Sequence, residues 1–231
     1  MIIKILNNIS HILINIKDRL SLTDKGERVD INYNENKRFE EFDIYQKNHF
    51  KRYEYAKQIL NQGDIVGDFA CGTGYGTSML SERSAKVIGV DINERVIKTI
   101  KKRYKKNKKI EFIVLNILNI KYKNYFDKII SFETIEHFKK KEILQLLQIY
   151  NKALKSNGEI IFSTPYMQKE SEAAIKLGFH STFLINERKI ELWLKKTNFK
   201  KVLYKYQKYN TYLISDNLKI KDFIICIAKK I

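Results

Sequence analysis

The chain predicts an α/β fold, a mostly parallel sheet with helices crossing over both faces, and three observations carry that reading. Apolar segments near 65–69, 86–90, 110–115, 127–131 and 158–163 alternate with helical ones near 77–84, 93–105 and 139–154, the pattern of strand–helix–strand units. Between the first strand and the helix start Thr77-Ser78-Met79-Leu80 lies Asp68-Phe69-Ala70-Cys71-Gly72-Thr73-Gly74-Tyr75-Gly76. Its glycines permit a sharp turn from strand to helix and a close approach to bare backbone. The second strand ends at Asp91, about 20 residues past the glycines, where such sheets present a carboxylate to ribose hydroxyls.

From the start of the chain, residues 2–20 place Ile2, Ile3, Ile5, Leu6, Ile9, Ile12, Leu13, Ile16 and Leu20 near helical spacing. That broad apolar face suits packing on the domain, pairing in a homodimer, or peripheral contact with a membrane surface. Residues 22–44 are polar, with Gly26 and several Asn, and read as a loop or lid. The expected organisation is thus an N-terminal helix and lid over 1–44 ahead of one domain over 45–231. A helix follows from Tyr45 to Leu60, and then the alternation begins. The helix after Asp91 ends in the run Lys101 to Lys109, where cations suit the negative end of a helix dipole. This run reads either as a solvated helix end or as a patch for an anionic substrate, RNA or membrane. Towards the end, a helix at 187–197 carries Trp193, and 200–209 and 223–229 read as strands joined by a polar turn around Asp216-Asn217. No internal repeat and no second domain is evident.

A chain of 231 residues can bury a full core as a single domain. Cys71 and Cys226 stand far apart and suggest no disulfide framework, which fits a reducing cytoplasm. No run is long and apolar enough to span a bilayer. Met1 to Leu20, interrupted by Asn, Lys and His and followed by no small-residue cleavage site, does not read as a secretory signal. The net charge of +18 points towards nucleic acid. Only eight of the 44 basic residues are Arg, however, and Arg makes the bidentate contacts of specific readers. The charge follows an Ile-, Asn- and Lys-rich composition of the kind that AT-rich coding produces. Nucleic acid therefore ranks below a small-molecule or glycan substrate as the partner.

Glycine spacing separates two nucleotide ligands. A dinucleotide pyrophosphate asks for G-x-G-x-x-G, whereas this loop reads G-x-G-x-G with Asp68 four residues ahead of Gly72. It resembles motif I of the class I S-adenosylmethionine (SAM)-dependent methyltransferases, commonly D/E-x-G-x-G-x-G, with Ala70 where the first glycine is usual. Phe126-Asp127-Lys128-Ile129-Ile130-Ser131 resembles motif IV, and Leu154-Lys155-Ser156-Asn157-Gly158-Glu159-Ile160-Ile161 resembles the L-K-P-G-G turn and its strand. The match runs over residues 22–231. It implies a Rossmann-like sheet of seven strands, helices on both faces, closed by a hairpin whose last strand is antiparallel. It implies SAM as cofactor, with Asp68, Ala70, Gly72 and Gly74 in the loop and Asp91 and Ile92 at the ribose. Asn116 and Ile117 then fall beside the adenine, with Asn where Asp is commoner, and Ser131 falls at the end of motif IV. Lys25-Gly26-Glu27-Arg28 and His49-Phe50-Lys51-Arg52-Tyr53-Glu54-Tyr55-Ala56 resemble the G-E-R and H-x-x-R-Y-x-x-A elements of a bacterial subgroup often tied to surface-polysaccharide or glycan modification. That resemblance implies Tyr53 as a cap on the sulfonium or adenine, a plain core tyrosine being the other reading.

The chemistry-bearing stretch is Ser131-Phe132-Glu133-Thr134-Ile135-Glu136-His137, past the carboxyl end of the fourth strand. The N-P-P-Y or D-P-P-Y motif of enzymes that methylate exocyclic base nitrogens is absent, and E-x-x-E-H stands in its place. A helical turn would put Glu133, Glu136 and His137 on one face, with His180 as a later fourth ligand. Such a set suits Mg²⁺, or Mn²⁺, Fe²⁺ or Zn²⁺ given two imidazoles. It resembles the metal-assisted O-methyltransferases of the ubiquinone pathway and those acting on the ribose 2′-hydroxyl of small RNA. A bound cation acidifies a coordinated hydroxyl, and a chelated diol is fixed in line with the S–CH₃ bond. Two further readings stay open. In one, His137 or His180 is a metal-free base with Glu136 orienting the loop; in the other, the set is structural.

The favoured function is a cytoplasmic SAM-dependent O-methyltransferase acting on a sugar or surface-glycan precursor. An RNA ribose 2′-O-methyltransferase is supported by the motif and the charge, and opposed by the few Arg and the lack of a separate RNA-binding module. A non-catalytic SAM-binding partner subunit is opposed by the intact glycine loop, Asp91 and E-x-x-E-H.

Overall fold

The computed structural model describes residues 28–31, 39–170 and 180–231. The expected apolar helix at 2–20 and most of the expected lid at 22–44 lie outside them. Helix α1 (Ile44–Gln58) is opened by a reciprocal cap: Asp43 Oδ1 accepts from Gln46 N at 2.8 Å, and Gln46 Oε1 accepts from Asp43 N at 3.1 Å. There follow β1 (Ile65–Phe69), α2 (Tyr75–Ser81), β2 (Lys86–Asp91), α3 (Glu94–Arg103), β3 (Ile110–Val114), β4 (Phe126–Phe132), α4 (Lys140–Ala153) and β5 (Leu154–Pro165). The chain closes with α5 (Glu187–Lys196), β6 (Phe199–Gln207), β7 (Ile214–Ser215) and β8 (Phe223–Lys230).

The strands form one sheet in the order β3-β2-β1-β4-β5-β8-β6-β7. Pairings among β1 to β5 are all parallel, and β8 runs antiparallel between β5 and β6. The terminal hairpin is therefore present as expected. The count is corrected from seven strands to eight, because Ile214–Ser215, within the expected polar turn, pairs with Tyr206 and Gln207 of β6.

Adjacent residues of a strand face opposite sides, and both sides are covered. Ile129, Ile160, Ile224 and Trp193 pack in one cluster with Leu146, Leu147 and Tyr150 of α4. Their neighbours Ile130, Ile161 and Ile225 pack with Tyr53, Ala56, Met79 and Leu80 of α1 and α2. A smaller cluster seats Val96, Ile97 and Ile100 of α3 against Phe112 and Cys71. The last turn of α3 carries Lys101, Lys102 and Arg103; the two lysines are exposed, while Arg103 turns back to Asp30 with bonds of 2.7 and 3.2 Å. Among the described residues, no helix is long and apolar enough to cross a membrane.

Strand order reverses between β1 and β4, since β2 and β3 lie to one side of β1 and β4 and β5 to the other. A crevice opens at the carboxyl ends of the strands at such a point.

Candidate active site

A cavity of about 460 Å³ occupies that crevice, within the ~300–1,000 Å³ typical of small-molecule sites. Its floor is the loop after β1, Ala70 to Thr73, and its sides are Asp91, Ile92, Leu115, Asn116 and Ile117. The far wall is Phe132, Glu133, Thr134, His137 and Phe138; His49 and Tyr53 of α1, Tyr75 of α2, and Arg28 and Val29 complete it.

The loop turns through the left-handed region at Ala70 (φ 62°), Gly72 (φ 52°) and Gly74 (φ 73°), conformations that favour glycine. A Cβ built on Gly72 would meet nothing within 4 Å, so this backbone borders open space; one built on Gly74 would lie 2.9 Å from Phe112. Asp91 ties the loop to the next strand. Its Oδ2 accepts from Gly72 N at 3.0 Å and its Oδ1 from Asn93 N at 2.9 Å, with Arg28 Nη2 3.4 Å away. The segment 28–31 crosses the same loop, where Val29 O accepts from Thr73 Oγ1 at 2.8 Å.

Of the residues the sequence singled out for the cofactor, Tyr53, Ala70, Gly72, Asp91, Ile92, Asn116 and Ile117 line the cavity, and Asp68, Gly74 and Ser131 do not. Asp68 is fully buried, accepting from Tyr53 Oη at 3.0 Å and Thr77 Oγ1 at 2.6 Å. Burial pushes its carboxyl up to about 6. It braces the loop and the Tyr53 ring. Gly74 is spent on packing and on starting α2. Ser131 shares the face of Ile129, and its hydroxyl lies 3.0 Å from Tyr150 Oη of α4.

The second group is partly assembled. One ligand atom from each of Glu136, His137 and His180 lies within 4.8 Å of the others. Glu136 brings this about through its backbone, whose carbonyl accepts from Ser181 N at 2.7 Å and Thr182 N at 3.0 Å. The His137 and His180 rings then meet edge to face, centroids 5.1 Å apart. Gln168 Oε1 accepts from His180 Nδ1 at 2.8 Å, which leaves Nε2 of that ring as the acceptor. Burial, and then His137, lower the pKa of His180. Glu136 is 1% exposed, and neither carboxylate oxygen meets a partner at full hydrogen-bond geometry; the Thr164 hydroxyl and the Glu136 backbone favour its charged form less than burial and Glu133 oppose it. Burial, and then the charge of Glu133, push its carboxyl well above the usual range. His137 lines the cavity, whereas Glu136 and His180 do not.

Glu133 leaves the expected set. Residues 135–137 form a 3-10 turn rather than an α-helix, and Glu133 sits before it at φ 48°, so no shared i, i+3, i+4 face arises. Its carboxylate instead accepts from Ser163 Oγ at 2.7 Å and pairs with Arg52 Nη1 at 3.6 Å. Arg52 is fully buried, donates to Gln207 Oε1 at 3.0 Å and stacks on Phe223 with its guanidinium carbon 4.5 Å from the ring centroid.

The sequence did not point to Arg28, His49, Arg52, Tyr75, Leu115 or Phe132 as site residues. Arg28, His49 and Arg52 stood in quoted motifs; the i, i+3 spacing of His49 and Arg52 on a helix opposite E-x-x-E-H was the available signal. Tyr75 lay between two glycines and gave none.

Residues 66–158 match a family described as a methyltransferase domain. No curated protein matches the chain in sequence. Among solved structures, the N-methyltransferase NodS from Bradyrhizobium japonicum WM9, in complex with S-adenosylhomocysteine, is 15% identical. The likeness covers 91% of this chain and 96% of that one, with a TM-score of 0.61. Phosphoethanolamine N-methyltransferase 2 from Haemonchus contortus, in complex with SAM, is 18% identical over 81% of this chain and 55% of that one, TM-score 0.64. The 1,6-didemethyltoxoflavin-N1-methyltransferase of Burkholderia thailandensis is 14% identical over 81% of each chain, TM-score 0.63. Residues 66–158 thus match a methyltransferase domain, carried on a Rossmann-like sheet whose backbone cradle Asp91 closes.

Proposed function

We propose that this enzyme moves the methyl group of SAM to a hydroxyl of a sugar or surface-glycan precursor, with a divalent cation held by Glu136, His137 and His180. The observation that carries the reading is the convergence of those three ligand atoms beside the cavity, with both Glu136 oxygens buried and short of a partner at full hydrogen-bond geometry. A buried carboxyl so weakly partnered is costly, and a cation would satisfy it and restore its charge. A bound cation would supply Lewis acidity, lowering the pKa of a coordinated hydroxyl.

The chain's own residues supply the rest. The open backbone at Gly72 and the Asp91 carboxylate suit the cofactor's ribose and its linker. Ile92, Leu115 and Ile117 offer an apolar slot for the adenine, with Asn116 at its edge. Tyr53 packs edge to face on Tyr75 and Phe132, with centroid distances of 5.3 and 5.0 Å, and such a wall favours a sulfonium through the ring quadrupoles. It also excludes water from the transfer.

The test uses methyl-tritiated SAM with nucleotide-sugar, surface-glycan and RNA fractions. Label in a sugar fraction is expected, and label in RNA alone would replace this reading with the ribose 2′-O one. Excess EDTA should abolish turnover and leave S-adenosylhomocysteine affinity unchanged. Full turnover in EDTA rejects the cation.

A further inference from the structure

We infer that His49 is the base that accepts the proton of the acceptor hydroxyl, a role that rests on the O-methylation reading above. His49 borders the cavity from α1, only 8% exposed, and its Nε2 is buried without a hydrogen-bond partner. A buried imidazole nitrogen with nothing to bind is costly unless something else occupies it, and the ring that carries it lines the cavity, so a small turn of the side chain would offer Nε2 to a bound hydroxyl.

The other titratable groups of that wall are committed. Glu133 is held by Ser163 and Arg52. Under the proposed function, His137 is given to a cation and Asp91 to the ribose. Burial raises the Tyr53 and Tyr75 hydroxyls well above 10 and the Cys71 thiol well above 9, so none of the three is a base near neutral pH. Arg28 is held on Asp91, with Nη2 3.4 Å from Oδ1. On its own helix His49 meets the Tyr45 ring, with centroids 4.8 Å apart, and Arg52 one turn on. Burial, and then the Arg52 charge, hold the imidazole pKa well below 6.5. His49 is therefore in its proton-accepting form throughout the neutral range.

The step balances without a further reagent. The acceptor O–H proton passes to His49 Nε2 as an oxygen lone pair forms the O–CH₃ bond. The S–CH₃ pair stays on sulfur, giving the neutral thioether, and the imidazolium later loses its proton to water.

The experiment has two arms. In the first, a ¹³C-histidine NMR titration of the ligand-free wild-type protein should show the His49 imidazole neutral from pH 8 to below 6.5. An imidazole already protonated at pH 7 overturns the proposal whatever the acceptor. In the second, His49→Gln is assayed with methyl-tritiated SAM and the nucleotide-sugar fraction. A fall in kcat of about 100-fold or more is expected, with KM and S-adenosylhomocysteine affinity within threefold and the acid limb of the pH profile lost. His49→Asn serves if the first variant does not fold. Retention of more than a tenth of kcat, or parallel loss of cofactor affinity, overturns the base role. A wild-type enzyme that labels RNA and no sugar fraction overturns the acceptor reading, while the titration still decides on His49.

Discussion

Replacing Gly76 by alanine sets helix propensity against packing, and the structure decides the sign. Gly76 lies in the first turn of α2, where alanine gains about 1 kcal/mol over glycine on propensity alone. A Cβ at this position, however, would lie 2.1 Å from Cζ and 2.2 Å from Cε1 of Tyr53. The ring cannot yield cheaply. It is 5% exposed, wedged between Tyr75 and Phe132, and its hydroxyl donates to Asp68 at 3.0 Å. Moving it by more than 1 Å adds an overpacking cost of about 1–3 kcal/mol and the loss of a bond to a carboxylate, about 1.5–3 kcal/mol. The net expectation is a destabilisation of about 2–5 kcal/mol, a large part of the ~5–15 kcal/mol that holds a domain folded. Urea unfolding followed by circular dichroism measures it, with the same substitution repeated in a Tyr53→Ala background. There the clash is gone, so the cost should fall below about 1 kcal/mol, the coupling appearing as the difference. A Gly76→Ala protein as stable as wild type, or a cost undiminished without the ring, would refute the packing argument.

Two predictions concern the carboxylates that brace the loop, Asp91 at the end of β2 and Asp68 in β1. Asp91→Ala should weaken S-adenosylhomocysteine binding by about 1.5–3 kcal/mol, the worth of a charge-assisted hydrogen bond, while the fold persists; calorimetry giving unchanged affinity removes Asp91 from the site. Asp68 has a folded pKa raised from 3.8 to about 6 by burial. The stability it contributes is thus complete below pH 3.8 and lost as pH rises through about 6, a change of about 3 kcal/mol. Asp68→Asn should therefore gain on wild type by that order between pH 4 and pH 7 in urea unfolding, and a gap independent of pH would contradict the burial argument.

The sequence alone determined the sheet, the glycine turn and the acid on the next strand. Each is written within a few residues: strand and helix periods in the alternation of apolar positions, the turn in glycines that tolerate positive φ, and Asp91 in its place at a strand tip. It also brought Glu136, His137 and His180 into one hypothesis through a motif and a lone later histidine. Tertiary structure decided the rest. One left-handed dihedral at Glu133 sends its carboxylate to Ser163 and Arg52 rather than to its motif partners. The period of two in β4 turns Ser131 to Tyr150 of α4 and away from the cavity. His49 and Arg52 gain meaning only because α1 packs over the carboxyl ends of strands whose order is fixed by long-range pairing. Local pattern sets what each segment is, since it depends on neighbours three or four residues away. What a side chain faces depends on sheet register and on which helix crosses above, and those are settled by burial across the whole domain.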